Sequence, residues 1–217
     1  MDGWDRTRAV ERVETLVETV EEETMPVPVR EIWVYGDVAL GLDPVERLDV
    51  YLTKDILLHD DADREADFVD SHGIESVGKT VRAEWAAAYP EHLRATAGGH
   101  AAPEKCLGAH LLDEGEPVHL EVCNAGFENN VRQRLKGALA RENYEQILDP
   151  RGVCLWADGT RSADAFRKLR EGELVFPTLP EALEMLGAEA PVASEAANAI
   201  ETLRADQDGS SVRGDVV

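Results

Sequence analysis

Three places in the sequence combine glycines or carboxylates in a spacing that suits metal and nucleotide chemistry. Gly36 ends a run of β-forming residues and opens the segment GDVALG, which closes at Gly41. Asp49 and, much later, Glu121 each lie in a run where apolar residues take every second position. Successive side chains of a strand point to opposite faces, so each carboxylate should lie on the polar face of its strand. Carboxylates that converge from neighbouring strands can hold two metal ions about 3.5–4 Å apart.

The order of these features resembles the core of the nucleotidyltransferase-like superfamily. In that superfamily a helix leads into a strand that ends in a Gly-Ser turn. The next strand presents two carboxylates one residue apart, and a later strand presents a third. The resemblance implies a nucleotide-binding turn at Gly36, Asp37 and Gly41, and it implies that Asp49 and Glu121 would be the catalytic carboxylates of a working enzyme.

The chain departs from the superfamily's pattern at the turn and on the second strand. Asp37 replaces the serine of the turn. If Asp49 is the second of the paired carboxylates, Arg47 replaces the first; if Asp49 is the first, Tyr51 replaces the second. One carboxylate on this strand is poor support for two Mg²⁺ ions, and Arg47 can pair with Asp49 and repel a cation.

These departures favour a non-catalytic binding or regulatory domain that uses no cofactor. A Mg²⁺-dependent nucleotidyltransferase, acting on a nucleoside triphosphate and an unknown acceptor, is the alternative. The resemblance requires Asp49 and Glu121 to lie on adjacent strands and on the same face of the sheet.

Cysteine and histidine residues suggest a competing metal site. Cys106 and His110 are four residues apart in a predicted helix, and His119 and Cys123 lie on either side of Glu121 on one strand face. Zinc is commonly held by four ligands of these types, but this spacing matches no recognised zinc motif. Cys106 and His110 also fit a core-facing stripe. The chain has three cysteines, Cys106, Cys123 and Cys154. We therefore expect buried free thiols and no disulfide framework.

The composition is strongly acidic. The 217 residues include 44 Asp and Glu against 22 Lys and Arg, a formal net charge of −22. Such a charge makes a compact protein repel itself unless salt screens it. The acidic style resembles the cytosolic proteins of salt-accumulating halophilic archaea. Residues 34–41 and 151–156 further resemble an uncharacterised conserved family from those organisms. We therefore expect a soluble cytoplasmic protein, with neither a signal peptide nor a membrane span.

Residues 130–170 are the exception to this acidity, with nine basic residues against five acidic ones. A basic segment in an acidic chain can contact an acidic protein, a nucleotide or RNA. Arg132, Arg134 and Lys136 are the candidate contacts for an anion or a partner. Ordinary ion pairing with nearby acids is the other explanation.

Periodic patterns predict an α+β (or α/β) fold, with a small mixed sheet covered by helices. The expected strands cover residues 31–36, 47–53, 117–123 and 153–156, and the expected helices cover residues 5–24, 79–96, 103–112, 127–148, 162–170, 178–187 and 191–204. A charged loop is expected at residues 59–64. These patterns divide the chain into a core domain (1–176), a helical C-terminal appendage (177–205) and a mobile polar tail (206–217).

Overall fold

The computed structural model describes residues 3–55, 62–63, 66, 69–70, 73–77, 80–83, 100–206 and 209–214. Most of the charged loop expected at residues 59–64, and residues 79 and 84–96 of the helical segment expected over 79–96, lie outside these residues. The described helices are α1 (Arg6–Glu22), α2 (Pro103–Leu111), α3 (Phe127–Arg141), α4 (Ala163–Glu171), α5 (Leu179–Met185) and α6 (Ala190–Ala205). The described strands are β1 (Val29–Tyr35), β2 (Leu48–Lys54), β3 (Ile74–Val77), β4 (Thr80–Ala83), β5 (Val118–Cys123), β6 (Gly152–Ala157), β7 (Thr160–Arg161) and β8 (Ser211–Arg213).

A mixed six-stranded sheet organises the molecule, in the order β7-β6-β1-β2-β5-β8. Strand β1 pairs antiparallel with β2 and β6, whereas β5 runs parallel to β2 and to β8. Strands β3 and β4 form a separate antiparallel pair. The α+β class and the mixed sheet are therefore confirmed.

One face of the sheet carries the largest apolar core. The alternating residues Ile32, Val34, Val50 and Leu120 point to this face, where α1, α2 and α4 cover it. Helix α1 buries Ala9, Val10, Val13, Leu16 and Val17, as its three- and four-residue spacing predicts. Asp5 caps its first turn by accepting a hydrogen bond from the Arg8 amide.

The opposite face carries polar strand residues and is covered by α3. Phe127 and Val131 of α3 pack beside Tyr35 and Tyr51 on this face. Helices α5 and α6 pack against the C-terminal half of α3 in a third apolar cluster, which includes Leu135, Leu179 and Leu183. Thr178 and Glu181 form the expected capping box at the start of α5.

Three elements differ from the sequence-based expectation. Helix α3 ends at Arg141 and not at residue 148, because Glu142 adopts the left-handed conformation (φ 52°) and a 3-10 turn, Tyr144–Gln146, follows. Thr80–Ala83, expected as the start of a helix, is a strand paired with β3. Ser211–Arg213, expected in a mobile tail, extends the main sheet beside β5.

Candidate functional site

Asp49 and Glu121 lie on adjacent central strands and on the same face of the sheet. Strands β2 and β5 are parallel neighbours, in which Asp49 pairs with His119 and Tyr51 pairs with Glu121. Asp49 and Glu121 are therefore diagonal neighbours on the polar face. Asp49 is 0% exposed and Glu121 is 2% exposed, so neither carboxylate is open to bulk solvent.

Both oxygens of the Asp49 carboxylate are bonded to arginine. Arg47 donates from Nε to Oδ1 over 2.8 Å, and its Nη2 lies 2.7 Å from the same oxygen. Arg204, in the last turn of α6, donates from Nη2 to Oδ2 over 2.6 Å. Burial raises the pKa of Asp49, and the guanidinium groups of Arg204 and Arg47 act against this by stabilising the carboxylate. The two arginines thus supply the positive charge that a buried aspartate needs.

The turn after β1 brings Asp37 to the same guanidinium. Arg204 Nη2 donates to Asp37 Oδ1 over 2.9 Å, while Asp37 Oδ2 accepts from the backbone amides of Glu46 and Arg47. Asp37 therefore closes the loop between β1 and β2 and also binds α6. Gly36 has a φ of 66°, a conformation that glycine adopts without steric cost.

Glu121 is the centre of a second ionic group on the same face. Arg134 of α3 binds it through two hydrogen bonds, 3.0 Å to Oε1 and 2.6 Å to Oε2. His119 Nε2 and Arg213 Nη1 lie 3.3 Å and 3.5 Å from Oε1. Burial alone would raise the pKa of Glu121, but the hydrogen bonds of His119 and Arg134 lower it to about 2. Glu121 is consequently an ionised buried carboxylate held by a bidentate arginine.

In this arrangement guanidinium groups contact both carboxylates. Arg47 pairs with Asp49 over 2.7 Å, as the sequence suggested it could. Across the described part of the chain, no group of three or more His, Cys, Asp and Glu side chains is arranged to hold a metal ion.

The competing cysteine and histidine ligands do not converge. Cys106 lies on the buried side of α2 in the apolar core, and burial raises the pKa of its thiol to about 11. His110 Nε2 lies 3.0 Å from Oε2 of Glu23, the residue that follows α1. His119 and Cys123 lie on the polar face of the sheet, on the other side of β5 from Cys106. The four side chains therefore lie in different parts of the fold and do not form one metal site.

The comparison with protein families covers nearly the whole chain. A family model matches residues 5–217, which include both ionic groups and the C-terminal strand. The chain belongs to DUF7095, a family of unknown function. Comparisons with curated proteins and with solved structures find no match. This confirms the sequence-based expectation that the chain belongs to an uncharacterised family.

Most basic residues of segment 130–170 pair with acids of the fold. Arg134 is buried against Glu121, and Arg151 lies 2.8 Å from Asp149. The remaining pairs join Arg161 to Glu18 and Glu21, Arg167 to Asp164, Glu171 and Glu173, Lys168 to Asp164, and Arg170 to Glu14. Arg132 and Lys136 lie on the exposed side of α3. Of the three candidate contacts, a partner can therefore reach these two.

Sequence reasoning missed the two cations that the C-terminal region contributes. Arg204 and Arg213 reach Asp49 and Glu121, respectively, from α6 and β8. Neither arginine has a local signal, because each is separated from its carboxylate by many residues and the pairing depends on the assembled sheet. No described helix is long and apolar enough to cross a membrane.

Proposed function

We propose that this chain is a non-catalytic binding or regulatory domain built on a nucleotidyltransferase-like core. The observation that carries the proposal is the double arginine contact of Asp49, from Arg47 on one oxygen and Arg204 on the other. In a transferase of this superfamily the corresponding carboxylate would hold Mg²⁺. Here two guanidinium groups take up the same charge.

The surroundings of Asp49 support the absence of phosphoryl transfer. A hard cation such as Mg²⁺ requires oxygen ligands in octahedral geometry, usually with several retained waters. Asp49 is fully buried and its hydrogen-bonding positions are taken by arginine, so a metal would have to displace two charge-assisted hydrogen bonds. The alternative, a Mg²⁺-dependent nucleotidyltransferase, requires that displacement before each reaction.

Thermal unfolding in about 1 M KCl, with Mg²⁺ and each nucleoside triphosphate in turn, tests this proposal. A ligand at 100 times its Kd adds about 2.7 kcal/mol of stability, so binding is readily detected. We expect no Mg²⁺-dependent shift for the natural chain. A shift with one triphosphate that is lost with EDTA and in Asp49→Asn would contradict the assignment of Asp49 to its arginines alone and would favour an active or nucleotide-sensing site there.

A gain-of-function variant tests the nucleotidyltransferase-like core independently. The double change Arg47→Asp and Arg204→Gln places two carboxylates two residues apart, one just before β2 and one at its second residue, and removes both arginines that contact Asp49. If the core has this ancestry, the variant should gain stability on addition of Mg²⁺ or Mn²⁺. The same variant carrying Asp49→Asn is the matched control and should not respond. Equal responses of the two variants would refute the proposed core.

Arg132 and Lys136 are the proposed contact for an acidic protein, a nucleotide or RNA. They lie four residues apart on α3, so they project from one side of the helix. A short RNA is a direct probe: its binding should weaken steeply with salt and be reduced by the double change Arg132→Glu and Lys136→Glu. Binding of RNA that is unaffected by this change would exclude the surface.

A further inference from the structure

Ser211, His119 and Glu121 form a hydrogen-bonded row at one side of the sheet. His119 Nδ1 lies 2.7 Å from Ser211 Oγ, and His119 Nε2 lies 3.3 Å from Glu121 Oε1. The serine belongs to β8, whereas the histidine and the glutamate lie two residues apart on β5. A hydroxyl, an imidazole and a carboxylate in this order are the three groups with which proteins activate a serine as a nucleophile.

The carboxylate determines which nitrogen of the neutral His119 ring carries the proton. Glu121 is ionised, so its oxygens can only accept hydrogen bonds. In the neutral imidazole Nε2 must therefore be the donor to Glu121, which leaves a lone pair on Nδ1. Ser211 is then the donor of the 2.7 Å contact, from its hydroxyl to Nδ1. This is the tautomer in which a histidine can take the proton of a serine hydroxyl.

Arginine contacts hold the acids on either side of the His119 ring in place. Arg134 of α3 binds both oxygens of Glu121, so the glutamate cannot turn away from His119 without losing two hydrogen bonds. Asp49 pairs with His119 across β2 and β5, and its own oxygens are bonded to two arginines. Glu121 is therefore a positioning residue, which orients the ring of His119 towards the serine.

Ser211 is the member of the row that a reagent can reach. It is partly exposed, whereas His119 and Glu121 are 6% and 2% exposed. Strand β8 is last in the strand order, and no strand lies beyond it within the residues that the structure describes. The hydroxyl is thus at the surface, while the two groups that activate it are shielded from water.

Arg213 adds a positive charge on the same face as Ser211. The two residues are two positions apart on β8 and pair with Glu121 and His119, respectively. The side chain of Arg213 is 30% exposed, and its Nη1 lies 3.5 Å from Glu121 Oε1. A guanidinium group has five N–H donors and matches the geometry of phosphate, so Arg213 can also bind a phosphate group that approaches the serine.

We propose that Ser211 is a covalent modification site that accepts an acyl group from an anionic acyl donor, such as an acyl phosphate. Ser211 Oγ forms a bond to the carbonyl carbon while its proton passes to His119 Nδ1, and the bond from that carbon to the bridging oxygen breaks. The proton then leaves with the phosphate, so the products are an acyl serine and inorganic phosphate. The proposal goes beyond a binding or regulatory domain without turnover, because it assigns to that domain a reactive hydroxyl. It requires neither a metal ion nor a nucleotide.

Acetyl phosphate is the probe for this reaction. The folded natural chain is incubated with it at about pH 8, where an ordinary imidazole is neutral, and acetylation is located by peptide mass spectrometry. We expect Ser211 to be acetylated about 100-fold faster than the neighbouring Ser210. Ser210 is an internal control, because it is exposed and should react first if access alone decides. Equal rates at the two serines, or no acetylation of Ser211, would overturn the proposal.

Three variants separate activation by His119 from exposure of the serine. Ser211→Ala should lose the label, and His119→Gln should slow acetylation of Ser211 by about 100-fold. Ser210→Ala is the matched control and should be acetylated at Ser211 at the natural rate. A rate that is the same with and without the imidazole would show that His119 only holds β8 in place, and the proposal would fail.

Nitrogen NMR of the His119 ring tests the tautomer in the natural chain, and it also decides the case if His119→Gln does not fold. Nε2 should carry the proton, and Nδ1 should carry none. In Glu121→Gln the population of this tautomer should fall, which a purely structural role of Glu121 does not predict. A proton on Nδ1 in the natural chain, or an unchanged tautomer in Glu121→Gln, would contradict the assigned roles.

A neutral ester, p-nitrophenyl acetate, tests whether the donor is recognised by its charge. Arg213→Gln should slow acetylation of Ser211 by acetyl phosphate by about two- to fivefold, as expected for a partly exposed charge contact. The effect on acetylation by the neutral ester should be smaller, because that ester has no phosphate for Arg213 to bind. Equal effects on the two donors would overturn the assignment of an anionic acyl donor.

Discussion

Arg204 Nη2 lies 2.6 Å from Asp49 Oδ2, although 155 residues separate the two along the chain. This contact joins the last helix to the centre of the sheet at a carboxylate that is fully buried. Arg213 repeats the relationship one strand further, where it approaches Glu121. Each central carboxylate is therefore balanced by one cation from the core, Arg47 or Arg134, and by one from the C-terminal region.

Replacing Arg134 with leucine should destabilise the protein strongly. The change leaves Glu121 buried without its bidentate partner, and breaking a buried pair in this way typically costs about 3–5 kcal/mol. Arg132→Leu is the control on the same helix, because Arg132 is exposed and its loss should change stability by about 0.5 kcal/mol or less. Urea unfolding of both variants measures the difference. Similar costs for the two would contradict a structural role for the Arg134–Glu121 pair.

Glu121 should make stability depend on pH in the acidic range. Its pKa is about 2 in the folded protein against an ordinary value of 4.5, so the folded state binds fewer protons in this window. A lowered folded pKa stabilises the protein above pH 4.5, and this contribution is lost as the pH falls from 4.5 towards 2. The shift corresponds to about 3 kcal/mol.

Glu121→Gln isolates this contribution, because glutamine does not titrate while the other acids remain. The natural chain should be the more stable at pH 6 to 7, and its advantage over the variant should shrink by about 3 kcal/mol as the pH approaches 2. Unfolding free energies of both proteins at several pH values provide the measurement. A difference that stays constant with pH would mean that Glu121 is not held as a carboxylate by its partners.

The sheet was predictable because its central strands obey a simple alternation. A run of β-forming residues located β1, and apolar residues at every second position located β2 and β5. The same alternation assigned Asp49 and Glu121 to the polar faces of their strands. The start of α5 was equally clear, because Thr178 and Glu181 form a local capping signal. Features that depend on residues close together in the sequence could therefore be predicted.

The features that escaped prediction depend on distant partners or on unusual backbone. Helix α3 ends at Arg141 because Glu142 adopts a left-handed conformation, and neither glycine nor proline stands at position 142 to signal it. Strand β8 has three residues in a polar stretch, and pairing with β5 is what orders it as a strand. Arg204 and Arg213 likewise acquire their roles only when α6 and β8 meet the sheet. Tertiary contacts determine these elements, and no local sequence pattern predicts those contacts.

Salt should stabilise the protein while leaving its buried pairs almost unchanged. Raising KCl from about 0.1 M to 1 M shortens the screening length from about 10 Å to about 3 Å, which reduces repulsion among the surface acids. The unfolding midpoint should therefore rise with KCl, as the net charge of −22 predicts. The cost of Arg134→Leu should be similar at both salt concentrations, because the pair is buried. A midpoint that is insensitive to KCl would contradict the expectation, drawn from the acidic composition, that salt screens the surface charge.

Alanine substitutions at two glycines of the β1–β2 turn separate backbone strain from crowding in the ionic site. Gly36 and Gly41 both have positive φ values, 66° and 76°, so alanine pays a backbone cost of about 1–2 kcal/mol at each. At Gly41 the new Cβ would meet nothing within 4 Å. At Gly36 it would clash with Asp49 Oδ2 and lie 2.6 Å from Arg204 Nη2, so those groups would have to move.

The excess cost of Gly36→Ala over Gly41→Ala therefore measures how much stability depends on the contact between Asp49 and Arg204. We expect Gly36→Ala to cost at least about 2 kcal/mol more, because the displaced groups are charged and buried. Combining it with Arg204→Ala should give less than the sum of the two single losses, since each change disrupts the same contact. Denaturant unfolding of the natural chain, the two single variants Gly36→Ala and Arg204→Ala, and their double variant provides the measurements for this double-mutant cycle. Strict additivity would mean that Gly36 acts through its backbone alone, and that the guanidinium of Arg204 is not confined by the turn.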